Sequence, residues 1–156
     1  MNADKTIEVL NTFIEINNDR IEGYKVASKG TEKYSLKSLF FEFQQTSRKC
    51  KSELIEEVKK LGGIPKKETK IKNKFLKFWS DFKVAFICKD SKDIIHSCER
   101  VEYKAVRYYN DVLLHHIKDL NFDQEIMLRN QYILLNVDND KVKALRDVLS
   151  QNKYFR

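Results

Sequence analysis

The sequence predicts an all-α protein: an up-down four-helix bundle with an extra short helix in the crossover between the second and third helices. Three observations carry that expectation. The 156 residues include one proline and four glycines against 42% hydrophobic and 34% charged residues, so there are few places where a helix must break. Apolar residues recur at steps of three and four, the period of a helix buried along one side. The strongest turn signal, Gly62-Gly63 followed by Pro65, falls before one long middle connection. The length suits one domain over residues 1–156, with no internal repeat and no Ser- or Gly-rich linker.

The first helix is expected over residues 4–27, with Asn2 or Asp4 as its cap and Gly30 closing the turn. Its seam reads Ile7, Leu10, Ile14, Ile21 and Tyr24, with polar Asn17 among them. That register puts Glu15, Asp19 and Glu22 on the outer face. A short linker over 28–34 predicts an antiparallel return. Ser35 then caps a second helix with a stripe of Leu36, Leu39, Phe40, Phe43, Ser47, Cys50, Leu54, Glu57 or Val58, and Leu61. The crossover carries a short helix over 71–87, whose Phe75, Phe78, Trp79, Phe82 and Phe86 share one face. The third helix starts at Asp90 or Ser91 and buries Ile94, Cys98, Val101, Ala105, Tyr108 and Val112, with Ile95, Glu102 and Tyr109 in the adjoining row. The fourth, over 123–150, has a seven-residue repeat at Leu128, Leu135, Val142 and Leu149 and a second row at Gln131, Asp138 and Leu145.

Charge is unevenly placed. The net +7 resides in residues 59–83, where nine lysines face Glu68 and Asp81; elsewhere the charges cancel. A neutral bundle with one basic strip argues against a general nucleic-acid-binding surface. Lys70, Lys74, Lys77 and Trp79 form a basic aromatic surface. It could meet an anionic membrane or an acidic protein partner, while the aromatics of the same helix pack on the bundle or on a second subunit, which predicts a homodimer. No apolar run is long enough for a membrane span. Three cysteines without a CxxC pair, and a start lacking a signal-peptide pattern, predict reduced thiols in the cytoplasm.

Polar residues on apolar seams are the candidate site. Asn17, Ser47 and Gln131 form an expected core polar layer that fixes helix register through hydrogen bonds. The sharper alternative is a metal site, Fe or Mn, on Glu53, Glu57, Glu102 and Asp138, the carboxylates nearest the core. A carboxylate-bridged di-metal site draws on Glu-x-x-His pairs, and this chain has none. Its histidines are His96, His115 and His116, and no phosphate loop or nucleophile elbow is present. No catalytic residue and no cofactor is therefore predicted.

The stretch Ile14-Glu15-Ile16-Asn17-Asn18-Asp19-Arg20-Ile21-Glu22-Gly23-Tyr24 resembles the first helix of an uncharacterised bacterial family of ferritin-like four-helix-bundle proteins. Ser47-Arg48, Ser52-Glu53-Leu54, Glu57-Val58-Lys59-Lys60-Leu61-Gly62-Gly63, Cys98-Glu99-Arg100-Val101-Glu102 and Lys143-Ala144-Leu145-Arg146-Asp147 extend the likeness over nearly the whole chain, in order. The resemblance implies a ferritin-like fold and a bacterial, cytoplasmic protein, but no activity, because the family is known as a domain of unknown function. It also implies His in the fourth helix where this chain has Asn139. The combined expectation is a non-catalytic bundle with an interaction or stress-associated role, against the alternative of an atypical carboxylate-metal protein.

Overall fold

The protein was analysed as a computed structural model that describes residues 2–67 and 91–152. Among these residues there are four long helices, α1 (Ala3–Gly30), α2 (Tyr34–Lys60), α3 (Ser91–His115) and α4 (Phe122–Asn152), with a 3₁₀ turn at Ile117–Asp119 and no strand. The expected crossover helix over 71–87, with Lys70, Lys74, Lys77 and Trp79, lies outside the described residues.

Local sequence sets the helix ends. Asn2 caps α1, its Oδ1 accepting from the backbone N–H groups of Asp4 and Lys5 at 3.0 and 3.4 Å. Thr31-Glu32-Lys33 suffices to reverse the chain, so α2 begins at Tyr34, and Ser35 falls inside the helix rather than at its cap. Lys33 occupies the cap position, and its side chain makes no capping hydrogen bond. At the other end of α2, the Gly62 N–H reaches the Lys59 carbonyl and the Gly63 N–H the Val58 carbonyl, at 3.0 and 2.9 Å. This pair of bonds closes the helix through a left-handed residue, and Gly62 supplies it at φ +80°. α4 opens on a reciprocal box. Asn121 Oδ1 accepts from the Gln124 N–H, and Gln124 Oε1 accepts from the Asn121 N–H, at 2.8 and 2.9 Å.

α1 and α2 form one antiparallel hairpin, α3 and α4 another. The hydroxyl of Thr6, early in α1, donates to the Asp119 carbonyl just after α3, while Lys33, after α1, meets Ser91 at the start of α3. α1 and α3 are thus antiparallel, and α2 and α3 point the same way, which a tight turn could not achieve. The chain leaving α2 turns onto the outer side of α1. There the Ile64 carbonyl accepts from Asn11 Nδ2, the Lys66 N–H donates to Asn11 Oδ1, and Lys66 Nζ pairs with Glu15 at 2.6 Å.

Inside the bundle lie two apolar clusters. One gathers Leu10, Phe13, Ile14, Val58, Leu128 and Leu135; the other Tyr24, Phe40, Phe43, Ile95, Val101 and Val142. A polar layer separates them at mid-height.

Candidate functional site

The polar layer centres on Arg20, which is 1% exposed. Its guanidinium reaches residues from all three other helices. Nε and Nη2 donate to Glu102 on α3 at 2.8 to 3.2 Å, Nη2 also to Asp138 Oδ2 on α4 at 3.2 Å, and Nη1 to the Ser47 hydroxyl on α2. Tyr24, one helical turn further along α1, donates its hydroxyl to Glu102 Oε1. The rings of Tyr24 and Phe43 lie 5.7 and 5.9 Å from the guanidinium carbon, adding cation–π attraction.

Burial opposes the Arg20 charge, but Glu102, Tyr24 and Asp138 outweigh it and hold the guanidinium charged, above its ordinary pKa. Burial, reinforced by the Glu102 carboxylate, pushes the Tyr24 phenol up, so it stays protonated and donates. Asp138 is also pushed up: burial raises it, and neighbouring Glu102 adds to this against the pull of Arg20. One buried cation thus faces two carboxylates.

A second chain of hydrogen bonds runs beside the first. Asn17 Nδ2 donates to the Tyr109 hydroxyl at 2.9 Å, and that hydroxyl donates to Gln131 Oε1 at 2.7 Å. Gln131 Nε2 in turn reaches Glu53 at 3.1 Å and the Cys50 carbonyl at 3.3 Å. Asn17 therefore meets Gln131 through Tyr109, and Glu102 faces Arg20 instead. Burial holds Tyr109 in its phenol form and pushes the Cys50 thiol up to about 12. Cys98, also buried, is raised well above its ordinary value by burial and then by Glu102.

Asn17, Ser47 and Gln131 are each fully buried in this layer. The four carboxylates considered for metal do not converge. Glu102 and Asp138 share Arg20, Glu53 accepts from Gln131, and Glu57 accepts from Gln124 Nε2 at 3.0 Å. Among the described residues no three His, Cys, Asp or Glu side chains form a group that could hold a metal ion. The oxygens of Glu102 and Asp138 are directed at a cation already present, the guanidinium, and those of Glu53 and Glu57 at side-chain amides. As arranged here, the donor set does not fit a metal.

Two sequence expectations need correction. Asp19 is 3% exposed, not on an open face. Arg20, absent from the expected layer, is its centre. The sequence carried a signal for it: Leu10, Phe13, Asn17, Arg20, Tyr24 and Ala27 step by three and four, and all are buried. Reading the seam through apolar Ile21 concealed the position.

A family model described as "Domain of unknown function (DUF2383)" matches residues 5–115, from α1 through α3, so Arg20, Ser47 and Glu102 lie within the match and Asp138 beyond it. No curated protein matches the chain.

Proposed function

We propose that this chain, which belongs to the DUF2383 family of domains of unknown function, is a non-catalytic helical bundle of ferritin-like arrangement that acts by association with protein, in the first place with a second copy of itself. The observation that carries the reading is Arg20. In carboxylate-metal bundles, inward-facing acids from several helices are neutralised by metal ions. Here acids from α3 and α4 are neutralised by a side chain of α1, with Tyr24 and Ser47 completing its hydrogen bonds. Such a centre holds four helices in register and offers no open position for a substrate.

The same-direction run of α2 and α3 supports the ferritin-like arrangement. The competing reading, an Fe or Mn protein using Glu53, Glu57, Glu102 and Asp138, requires Arg20 to leave the layer. Loading the purified protein with iron or manganese, followed by elemental analysis, separates the two. No stoichiometric metal is expected. Stoichiometric metal that disappears in Glu102→Ala would overturn the non-catalytic reading.

A further inference from the structure

α4 has two apolar sides. Gln124, Leu128, Gln131, Leu135, Asp138 and Val142 face the bundle and are buried. On the opposite side Phe122, Ile126, Ile133, Val137 and Val148 are 41% to 73% exposed, and Ala144 between them is exposed as well. The inward side repeats every seven residues. The outward side repeats every eleven, Phe122 to Ile133 to Ala144 and Ile126 to Val137 to Val148, a spacing that keeps a stripe nearly straight along a helix. At 1.5 Å per residue the stripe is about 40 Å long. Scattered surface apolar residues are ordinary, but a continuous stripe of this length marks a contact.

The stripe is symmetric about residue 135. Phe122 mirrors Val148, Ile126 mirrors Ala144, and Ile133 mirrors Val137. Laid antiparallel on its own copy about a two-fold axis at that point, it sets apolar against apolar at every position. Its border charges comply. Arg129 and Asp140, both exposed and on the same edge, are nearly mirror-related, so Arg129 of each copy falls within a residue of Asp140 of the other, twice over. Residues 64–66 leave α2 along the outer side of α1, which lies diagonally across the bundle from α4.

From these placements we infer that the outer stripe of α4 is a homodimer interface, two copies of α4 packing antiparallel about Leu135. The inference rests on self-association within the proposed function and assigns it a surface.

Light scattering on the full chain reads the mass directly. At about 100 μM, within the range of a standard interface, the wild type is expected at twice its 18.6 kDa chain mass. Ile133→Glu with Val137→Glu is expected to return one chain mass at unchanged helical circular dichroism, because both side chains are exposed. Arg129→Glu or Asp140→Arg alone should weaken the dimer about tenfold, and the two together should restore it, as reciprocal charge pairs require. A dimer untouched by the Glu pair sinks the α4 surface but leaves self-association standing. A wild-type monomer sinks both. Neither result bears on whether metal binds, which the loading experiment decides separately.

Discussion

At the level of single residues, the molecule turns on how a buried cation is kept. Arg20 makes its hydrogen bonds with no water-exposed partner, so its removal strands Glu102 and Asp138 as like charges in the core. Arg20→Met is expected to cost about 3–5 kcal/mol in urea unfolding. Arg20→Lys should cost less but still destabilise, since an ammonium cannot reproduce the fork that meets Glu102 through Nε and Nη2 together. Asp138 gives a pH test. Its folded pKa is raised above the unfolded value of about 4. Its contribution is therefore full below that value and is lost as pH rises through the folded pKa. Burial sets that shift; of the groups facing it, Glu102 from α3 adds to it, while Arg20 from α1 and Thr46 from α2 oppose it. Melting temperatures of wild type and Asp138→Asn should diverge in favour of the wild type as pH falls from 7 toward 4; a gap moving the other way would contradict the assignment. The seam positions of Asn17, Ser47 and Gln131 are readable from sequence because a single polar residue interrupts an apolar period. Arg20 was hidden because Ile21 beside it satisfies the same period, and charge alone does not say which of two adjacent residues turns inward.

Among the elements, the ends follow from short-range chemistry, and some were legible: Asn2 before α1 and Gly62-Gly63 after α2, but not the Asn121–Gln124 box before α4 nor the Lys33 cap of α2, which was expected at Ser35. The two glycines have different reasons. Gly62 is needed for its left-handed backbone, so Gly62→Ala should cost about 1–2 kcal/mol whatever its neighbours. Gly63 is needed for space: a Cβ there would come within 2.9 Å of Ile7 Cδ1 and Cγ2. Gly63→Ala is thus expected to be more damaging with Ile7 present than in an Ile7→Ala background. A double-mutant cycle by chemical unfolding checks this, and additive costs would remove Ile7 as the cause. The outer face of α4 escaped sequence reading for a related reason. Leu128, Leu135 and Val142 give a heptad strong enough to fix the helix, so the eleven-residue pattern on its other side passed as ordinary surface.

For the whole molecule, the issue is whether two apolar clusters on either side of a polar layer behave as one body. The bundle class and the long middle connection followed from composition and period, since few breakers and long amphipathic runs leave few other arrangements. What period could not show is that the layer belongs to all four helices at once. Arg20, Ser47, Glu102 and Asp138 each come from a different helix, so opening either half alone would separate the guanidinium from at least one carboxylate while the rest stayed buried. That intermediate carries unpaired charge without the compensation of water, and it lies above both the folded and the fully unfolded states. α1 is the element most enclosed by this arrangement, buried at six consecutive positions from Ile16 to Ile21. Native-state hydrogen exchange should therefore find the amides of residues 16–21 opening with the full free energy of global unfolding, and those of residues 5–8, in the first turns of α1, opening more easily. In Arg20→Met the charged tie is cut, and protection over 16–21 should fall in step with global stability. Protection there falling well below global stability in the wild type would mean that the halves part independently and that the layer does not couple them.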